Sequence, residues 1–345
     1  MEYRNLGRTG VPVSMFCLGC MNFGSPTPED ESFDIIDRAL DTGINFLDTA
    51  NVYGRGLSET IVGKALKRNG KRNQIVLASK VHGRMDDDNI LASGNNRRHI
   101  IEQCDASLRR LQTDYLDLYQ IHRPQSDVAI DETLRALDDL VRAGKVRYLG
   151  TSTFPAWEII ESLWISKELG LNRFVTEQPP YHLLDRSIER ELIPLAQTYG
   201  LAILPWSPLA RGFLTGKYQR GQDLPEGSRL ERDANTPNQA FQQRTKEHFS
   251  TMAYEVLDVI TAFAEQKNAT PAQIALAWVA CQPGITSPII GPRTMNHLEE
   301  HLGAVNITFS AEDYDQINAV SPAEQAIVPY YHGRMIDFKP PQYRW

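Results

Sequence analysis

The feature that most constrains this chain is an alternation. Short apolar or β-branched runs recur eight times, at residues 14–19, 45–48, 74–79, 115–121, 146–150, 174–176, 202–205 and 286–290. Segments of helical period lie between them, such as Phe33/Ile36/Leu40, Ile100/Cys104/Leu108/Leu111 and Leu134/Leu137/Val141. Strands separated by helices pair in parallel, because each crossover returns the chain to the same end of the sheet. Ile75-Val76-Leu77-Ala78 is apolar without alternation, as expected of a strand buried on both faces. A doubly wound sheet would read similarly, but its G-x-G-x-x-G turn after the first strand is missing. Eight units without a break in composition predict a closed (β/α)8 barrel of the TIM type, with residues 1–345 as one domain. A β-hairpin is expected before it, around Gly7-Arg8-Thr9-Gly10. An aromatic extension follows it over residues 321–345, carrying Tyr330, Tyr331, Phe338, Tyr343 and Trp345. Residues 211–250 stand outside the repeat as a long polar stretch, expected to be a functional or disordered loop.

Composition removes other classes. Hydrophobic residues make up 41% of 345, enough for a large core, and the formal charge of −7 weighs against nucleic acid as a partner. No apolar run reaches the roughly 18 residues of a membrane-spanning helix, and Met1-Glu2-Tyr3-Arg4-Asn5 lacks the apolar stretch of a signal peptide. Four cysteines are too few for a disulfide framework, which favours the cytoplasm. Cys17 and Cys20 form a C-x-x-C, but three positions apart on a strand they face opposite sides and have no second pair, so no metal is expected. Asp86-Asp87-Asp88 has no ligand spacing and reads as a solvated loop.

In parallel barrels the reacting groups come from the C-terminal ends of the strands and the loops that follow. The second strand ends in Asp48, with Tyr53 close behind; the third ends in Lys80 and the fourth in His122. Adjacent strands bring these four side chains to one mouth. A phenol with a pKa of about 10 is a weak acid, but a neighbouring ammonium favours the phenolate. A carboxylate would hold that ammonium charged, and an imidazole could orient a carbonyl oxygen by hydrogen bonding. The set suits protonation of an oxygen while hydride reaches its carbon.

Asp48, Tyr53, Lys80 and His122 match the catalytic tetrad of the aldo-keto reductases, a family the chain resembles from Leu6-Gly7-Arg8-Thr9-Gly10 to about Gly303. Supporting motifs are Gly43-Ile44-Asn45-Phe46-Leu47-Asp48-Thr49-Ala50, Gln178-Pro179-Pro180-Tyr181 and Trp206-Ser207-Pro208-Leu209-Ala210-Arg211-Gly212. The nearest branch resembles bacterial reductases related to potassium-channel β-subunits. The resemblance implies NADPH-dependent reduction of an aldehyde or ketone, with Tyr53 as general acid. It assigns Ser152 and Gln178 to the nicotinamide carboxamide, Trp206 to the ring, and Ser207, Leu209, Gly212 and Lys217 to the pyrophosphate. Arg293, beside a helix start, is the expected anchor of a 2′-phosphate, and Gly19, Met21, Gly291, His297, Glu300 and His301 complete the cofactor set. Thr153 stands where the family commonly has asparagine, and His297 and His301 where glutamine and asparagine are usual. Phe23 and Trp157 are candidate walls of the substrate pocket, and the aromatic tail is either a lid over that pocket or a surface that packs against a neighbouring subunit. Two other readings share the motifs: oxidation of a sugar or other alcohol with NADP, and a cofactor-binding regulatory subunit. Either leaves room for an oligomer.

Overall fold

The computed structural model describes residues 1–331. Strands β1 (Tyr3–Asn5) and β2 (Pro12–Ser14) form the expected antiparallel hairpin, with Tyr3 opposite Ser14. All eight barrel strands follow: β3 (Cys17–Gly19), β4 (Phe46–Asp48), β5 (Val76–Val81), β6 (Leu116–Ile121), β7 (Val146–Ser152), β8 (Phe174–Gln178), β9 (Ala202–Ile203) and β10 (Ile289–Ile290). They lie in the order β10-β3-β4-β5-β6-β7-β8-β9, every pair parallel. Thr286 N donates to Ile203 O at 2.9 Å and Ile289 N to Pro205 O at 2.8 Å, which joins the two edges and closes the ring. The last two strands are shorter than their apolar runs because Pro205 and Pro288 have no N–H for a ladder; their carbonyls still accept.

Crossover helices occupy the gaps in turn: α1 (Glu29–Asp41), α2 (Leu57–Asn69), α3 (Arg97–Leu111), α4 (Ile130–Arg142), α5 (Ala156–Leu169) and α6 (Leu192–Tyr199). Between β9 and β10 come α7 (Arg229–Ala234), α8 (Gln239–Glu247), α9 (Thr251–Gln266) and α10 (Pro271–Cys281); α11 (Met295–Leu302) and α12 (Ala311–Val320) follow the barrel. The stretch expected as an unbroken loop therefore holds a 3-10 turn at Ala210–Thr215 and two short helices. The Ser228 side chain caps α7 by accepting from Glu231 N. No helix among the described residues is long and apolar enough to cross a membrane.

The strand pleat explains why the apolar runs do not alternate. Val76 and Ala78 belong to a small interior cluster with Phe46, Cys17, Leu118 and Leu204, closed by Leu6 and Val13 of the hairpin. Leu77, Leu47 and Leu18, one residue off, pack into the larger layer beneath the helices. Each strand thus buries both faces, and the hairpin plugs the end away from the site. The pleat also carries forward: after Phe46, Val76-Ala78 and Leu118, the next interior positions are Asp48, Lys80 and Gln120. The barrel turns from apolar to ionisable in one layer.

Gly150 sits at the register shift between β7 and β8, where an added Cβ would lie 2.1 Å from Thr176 Oγ1. Gly150→Ala is expected to cost about 1–3 kcal/mol by overpacking. Denaturant midpoints check it, and adding Thr176→Ala, which removes the clashing hydroxyl, should recover most of the loss.

Candidate active site

Lys80 is fully buried and forms an ion pair with Asp48 Oδ1; its ammonium also donates to Thr49 O at 2.9 Å and to Tyr53 Oη at 3.3 Å. The other carboxylate oxygen, Asp48 Oδ2, accepts from Gln120 Nε2 and Gln178 Nε2, both at 3.0 Å. Burial alone would drive Lys80 toward its neutral form, but the charge of Asp48 and the Tyr53 oxygen outweigh it and raise its pKa. The ammonium is therefore fixed and charged, with its three protons assigned.

Local backbone brings Tyr53 back over this pair. After β4 the chain continues alongside β5, with Thr49 N bonded to Ala78 O at 3.0 Å and Asn51 N to Lys80 O at 3.1 Å. It then turns on Tyr53 N to Ala50 O at 3.2 Å, and Gly54 and Arg55 adopt left-handed conformations (φ 56 and 52) that carry it into α2. The His122 ring meets Tyr53 edge-on, centroids 5.7 Å apart. Burial, followed by the charges of Lys80, Arg123 and His82, holds the His122 pKa well below its usual value, so its imidazole is neutral. It can donate one N–H but brings no charge.

The residues assigned to the nicotinamide end border this group. Ser152 and Gln178 are register partners, and Ser152 Oγ donates to Gln178 O at 2.9 Å. Gln178 commits its amide N–H groups to Asp48 and Gln120, leaving Oε1 as an acceptor for a carboxamide N–H. Trp206 is half-buried, packs one edge on Tyr330 at 4.9 Å, and its indole Nε1 is buried with no hydrogen-bond partner among the described residues. A half-buried ring with an orphaned donor fits a bound group. Met21 is exposed; Gly19 ends β3, and the Gly291 carbonyl accepts from Asn22. Thr153, with φ 60, is a β-branched residue in the left-handed region, held by its N–H to Gln178 O.

Farther out, Ser207, Ala210, Arg211 and Gly212 all have positive φ, and Ser207 Oγ accepts from Arg211 N inside the turn. Leu209 is part of the same turn, accepting from Gly212 N. Gly212, at φ 89, has a left-handed backbone that favours glycine, and Lys217 folds back over it so that its Nζ lies 3.2 Å from where a Cβ would be. Lys217, Arg229, Arg232 and Arg293 sense one another's charge: neighbouring cations, after burial, lower Lys217 and Arg293 and push Arg229 down to about 10. None of the four lies within ion-pairing distance of a carboxylate among the described residues, although Arg211 nearby pairs with Asp233. Four cations without an ion-pair partner among the described residues, in a chain of net charge −7, fit a polyanionic ligand. His297, Glu300 and His301 lie on α11, directly after Arg293.

The pattern of the sequence did not reveal Gln120, which the strand pleat places in the same layer as Lys80. It also missed Arg229 and Arg232, which lie in the stretch without period. Trp157 is exposed on α5, and no contact among the described residues ties it to the tetrad. Phe23 is buried in the large cluster. Phe338, Tyr343 and Trp345 lie outside the described residues. Cys17 and Cys20 are free, buried and in different clusters, as opposite faces require, and no metal-binding group of three or more side chains exists among the described residues.

A closed parallel barrel whose C-terminal mouth gathers a phenol, an ammonium–carboxylate pair and a neutral imidazole belongs to the (β/α)8 enzymes. Residues 16–322 match the model of the Aldo/keto reductase family, and the chain belongs to that family. It is an NAD(P)-dependent oxidoreductase acting on carbonyl compounds. It is 38% identical over 341 residues to the uncharacterized oxidoreductase YrpG of Bacillus subtilis, covering 95% of this chain and 98% of that one. It is 35% identical to versiconal hemiacetal acetate reductase of Aspergillus parasiticus (94% and 100% covered). Identity is also 35% to a probable voltage-gated potassium channel subunit beta of Oryza sativa subsp. japonica (93% and 96% covered).

Proposed function

We propose that this protein reduces an aldehyde or ketone to the alcohol with NADPH, and that Tyr53 is the proton donor. The observation that carries the reading is the Asp48–Lys80–Tyr53 chain beside a neutral His122. When bound, the cofactor supplies hydride to the carbonyl carbon. Trp206 would hold its ring by contact, Ser152 and Gln178 its carboxamide, and the Ser207–Gly212 turn with Lys217 its pyrophosphate. Tyr53 gives its Oη proton to the carbonyl oxygen as that oxygen gains charge. The Lys80 ammonium, already donating to Oη, offsets the charge left on the phenolate. Asp48 keeps Lys80 charged and aimed, and His122 orients the substrate oxygen through one neutral N–H. Residues 1–345 act as one catalytic domain in the cytoplasm.

Single turnover of NADPH-loaded protein against a panel of aldehydes, ketones and sugars tests this. Rapid cofactor oxidation by carbonyl compounds supports it; no oxidation despite tight NADPH binding would overturn it and favour oxidation of an alcohol with NADP or a regulatory subunit.

Arg293 separates the two nicotinamide cofactors. Its guanidinium makes one bond, Nη1 to Gly227 O at 3.3 Å, and has no acidic partner among the described residues. Arg293→Ala should weaken NADPH by about 10- to 100-fold, the worth of a charge-assisted hydrogen bond, and leave NADH nearly unchanged. Equilibrium titration of both cofactors against wild type and variant checks this.

A further inference from the structure

The α11 histidines are the part of the cofactor site that the proposed function leaves unused. Thr294 caps the helix by accepting from His297 N, which places His297 in the first turn beside Arg293. His301 lies one turn on, and the two rings are nearly parallel, 12° apart in plane with centroids 6.4 Å apart. They differ in environment: His297 is the more exposed, with only part of its ring desolvated, while His301 is 5% exposed and its Nδ1 has no hydrogen-bond partner among the described residues. Burial and the neighbouring ring push His301 down to about 4, so it stays neutral and serves as packing.

We propose that His297 is a titrating recognition group for the ribose 2′-phosphate and takes up a proton when that phosphate binds. The proposal rests on the NADPH reading and deepens it. His297 faces charged groups from each neighbouring element: Glu300 on α11, Glu31 on α1, Lys217 from the loop after β9, and Arg293 from the turn between β10 and α11. Glu31 is tied to the helix start, accepting from Met295 N at 3.3 Å. Partial burial and the two cations together outweigh the two carboxylates, so His297 is neutral in the free protein at neutral pH. A phosphate dianion placed among Lys217, Arg232 and Arg293 reverses that field. The imidazole then gains a proton from solvent and donates an N–H to a phosphate oxygen as a cation. A ribose 2′-hydroxyl brings no such charge, so NADH draws no proton. Uptake on binding means that affinity falls as pH rises between the free-state and bound-state pKa values. Selection of NADPH over NADH therefore weakens on the alkaline side. The phosphate's own second ionisation, near pH 6, acts in the opposite sense and confines the clean window to pH values above about 6.5.

The test is calorimetric titration of the full chain with 2′,5′-ADP and with 5′-AMP from pH 6.5 to 8.5, in buffers of different ionisation enthalpy. Wild type, His297→Gln and His297→Lys are compared. For 2′,5′-ADP, His297→Gln should lose about tenfold at pH 6.5, shrinking to about twofold at pH 8.5, with less proton uptake than wild type. His297→Lys, a permanent cation, should keep the affinity and lose the pH slope. 5′-AMP should bind all three alike, which also shows that the variants are folded. Equal proton counts and equal slopes in wild type and His297→Gln would overturn the proposal while leaving the NADPH reading intact. A wild type that binds 2′,5′-ADP no better than 5′-AMP at any pH would instead remove the NADPH reading, and the proposal with it.

Discussion

Tyr53→Phe is expected to lower the hydride-transfer rate by about 10²- to 10⁴-fold, the usual contribution of a positioned general acid, while cofactor affinity stays within about twofold. The substitution removes one oxygen and keeps the ring that packs edge-on against His122. No other group in this layer can replace the lost proton. Lys80 donates to Asp48, Thr49 O and Tyr53 Oη, so its protons are committed. His122 is held neutral by burial and by three neighbouring cationic or titratable groups, and it could donate only by leaving an imidazolate. Single-turnover absorbance of NADPH-loaded protein reads the chemical step apart from product release, and titration of the free variant reads affinity. A variant within tenfold of wild type would move the acid role away from Tyr53. Loss of cofactor binding in parallel with rate would instead point to a misplaced turn after β4.

Much of the barrel was legible because its physics is periodic. Eight buried runs and their intervening helices follow from the need to bury both faces of each strand, and the runs at 45–48, 115–121 and 174–176 landed within two residues of the observed strands. Edges were less legible where hydrogen bonding depends on another part of the chain: β9 and β10 shrink to two residues each because prolines interrupt their ladders. The four residues of the candidate site could be found because each stands at a strand end or just beyond it. Gln120 could not, since a glutamine inside an apolar run looks like a tolerated exception until the pleat shows it sharing Asp48 with Gln178. The cations of α7 were hidden for another reason. Arg229 and Arg232 acquire meaning only when the turn at Ser207–Gly212, full of left-handed residues, folds the chain back toward Arg293. Such a turn has no apolar period to read.

The second large effect concerns the pair beneath the phenol. Asp48→Asn leaves the Lys80 ammonium fully buried without a counter-charge, and breaking such a pair from one side costs about 3–5 kcal/mol. The sign of the pH response identifies the cause. In the wild type the folded-state pKa of Lys80 is raised, so its contribution is complete at neutral pH and is lost only as pH rises through that alkaline value. Without Asp48, burial dominates and the folded-state value drops below the unfolded one. The variant then loses stability as pH falls toward neutrality, and should unfold at a higher denaturant concentration at pH 9.5 than at pH 7. Adding Lys80→Met removes the stranded charge, so the double variant should regain most of the lost stability, because a buried ion pair replaced as a whole is often close to neutral. It should not regain activity, because the Tyr53 oxygen then has no ammonium beside it. Denaturant midpoints at the two pH values, with single-turnover rates on the same samples, separate the two roles. Recovery of both stability and rate in the double variant would show that Lys80 only balances Asp48. Recovery of stability alone places the ammonium in the chemistry.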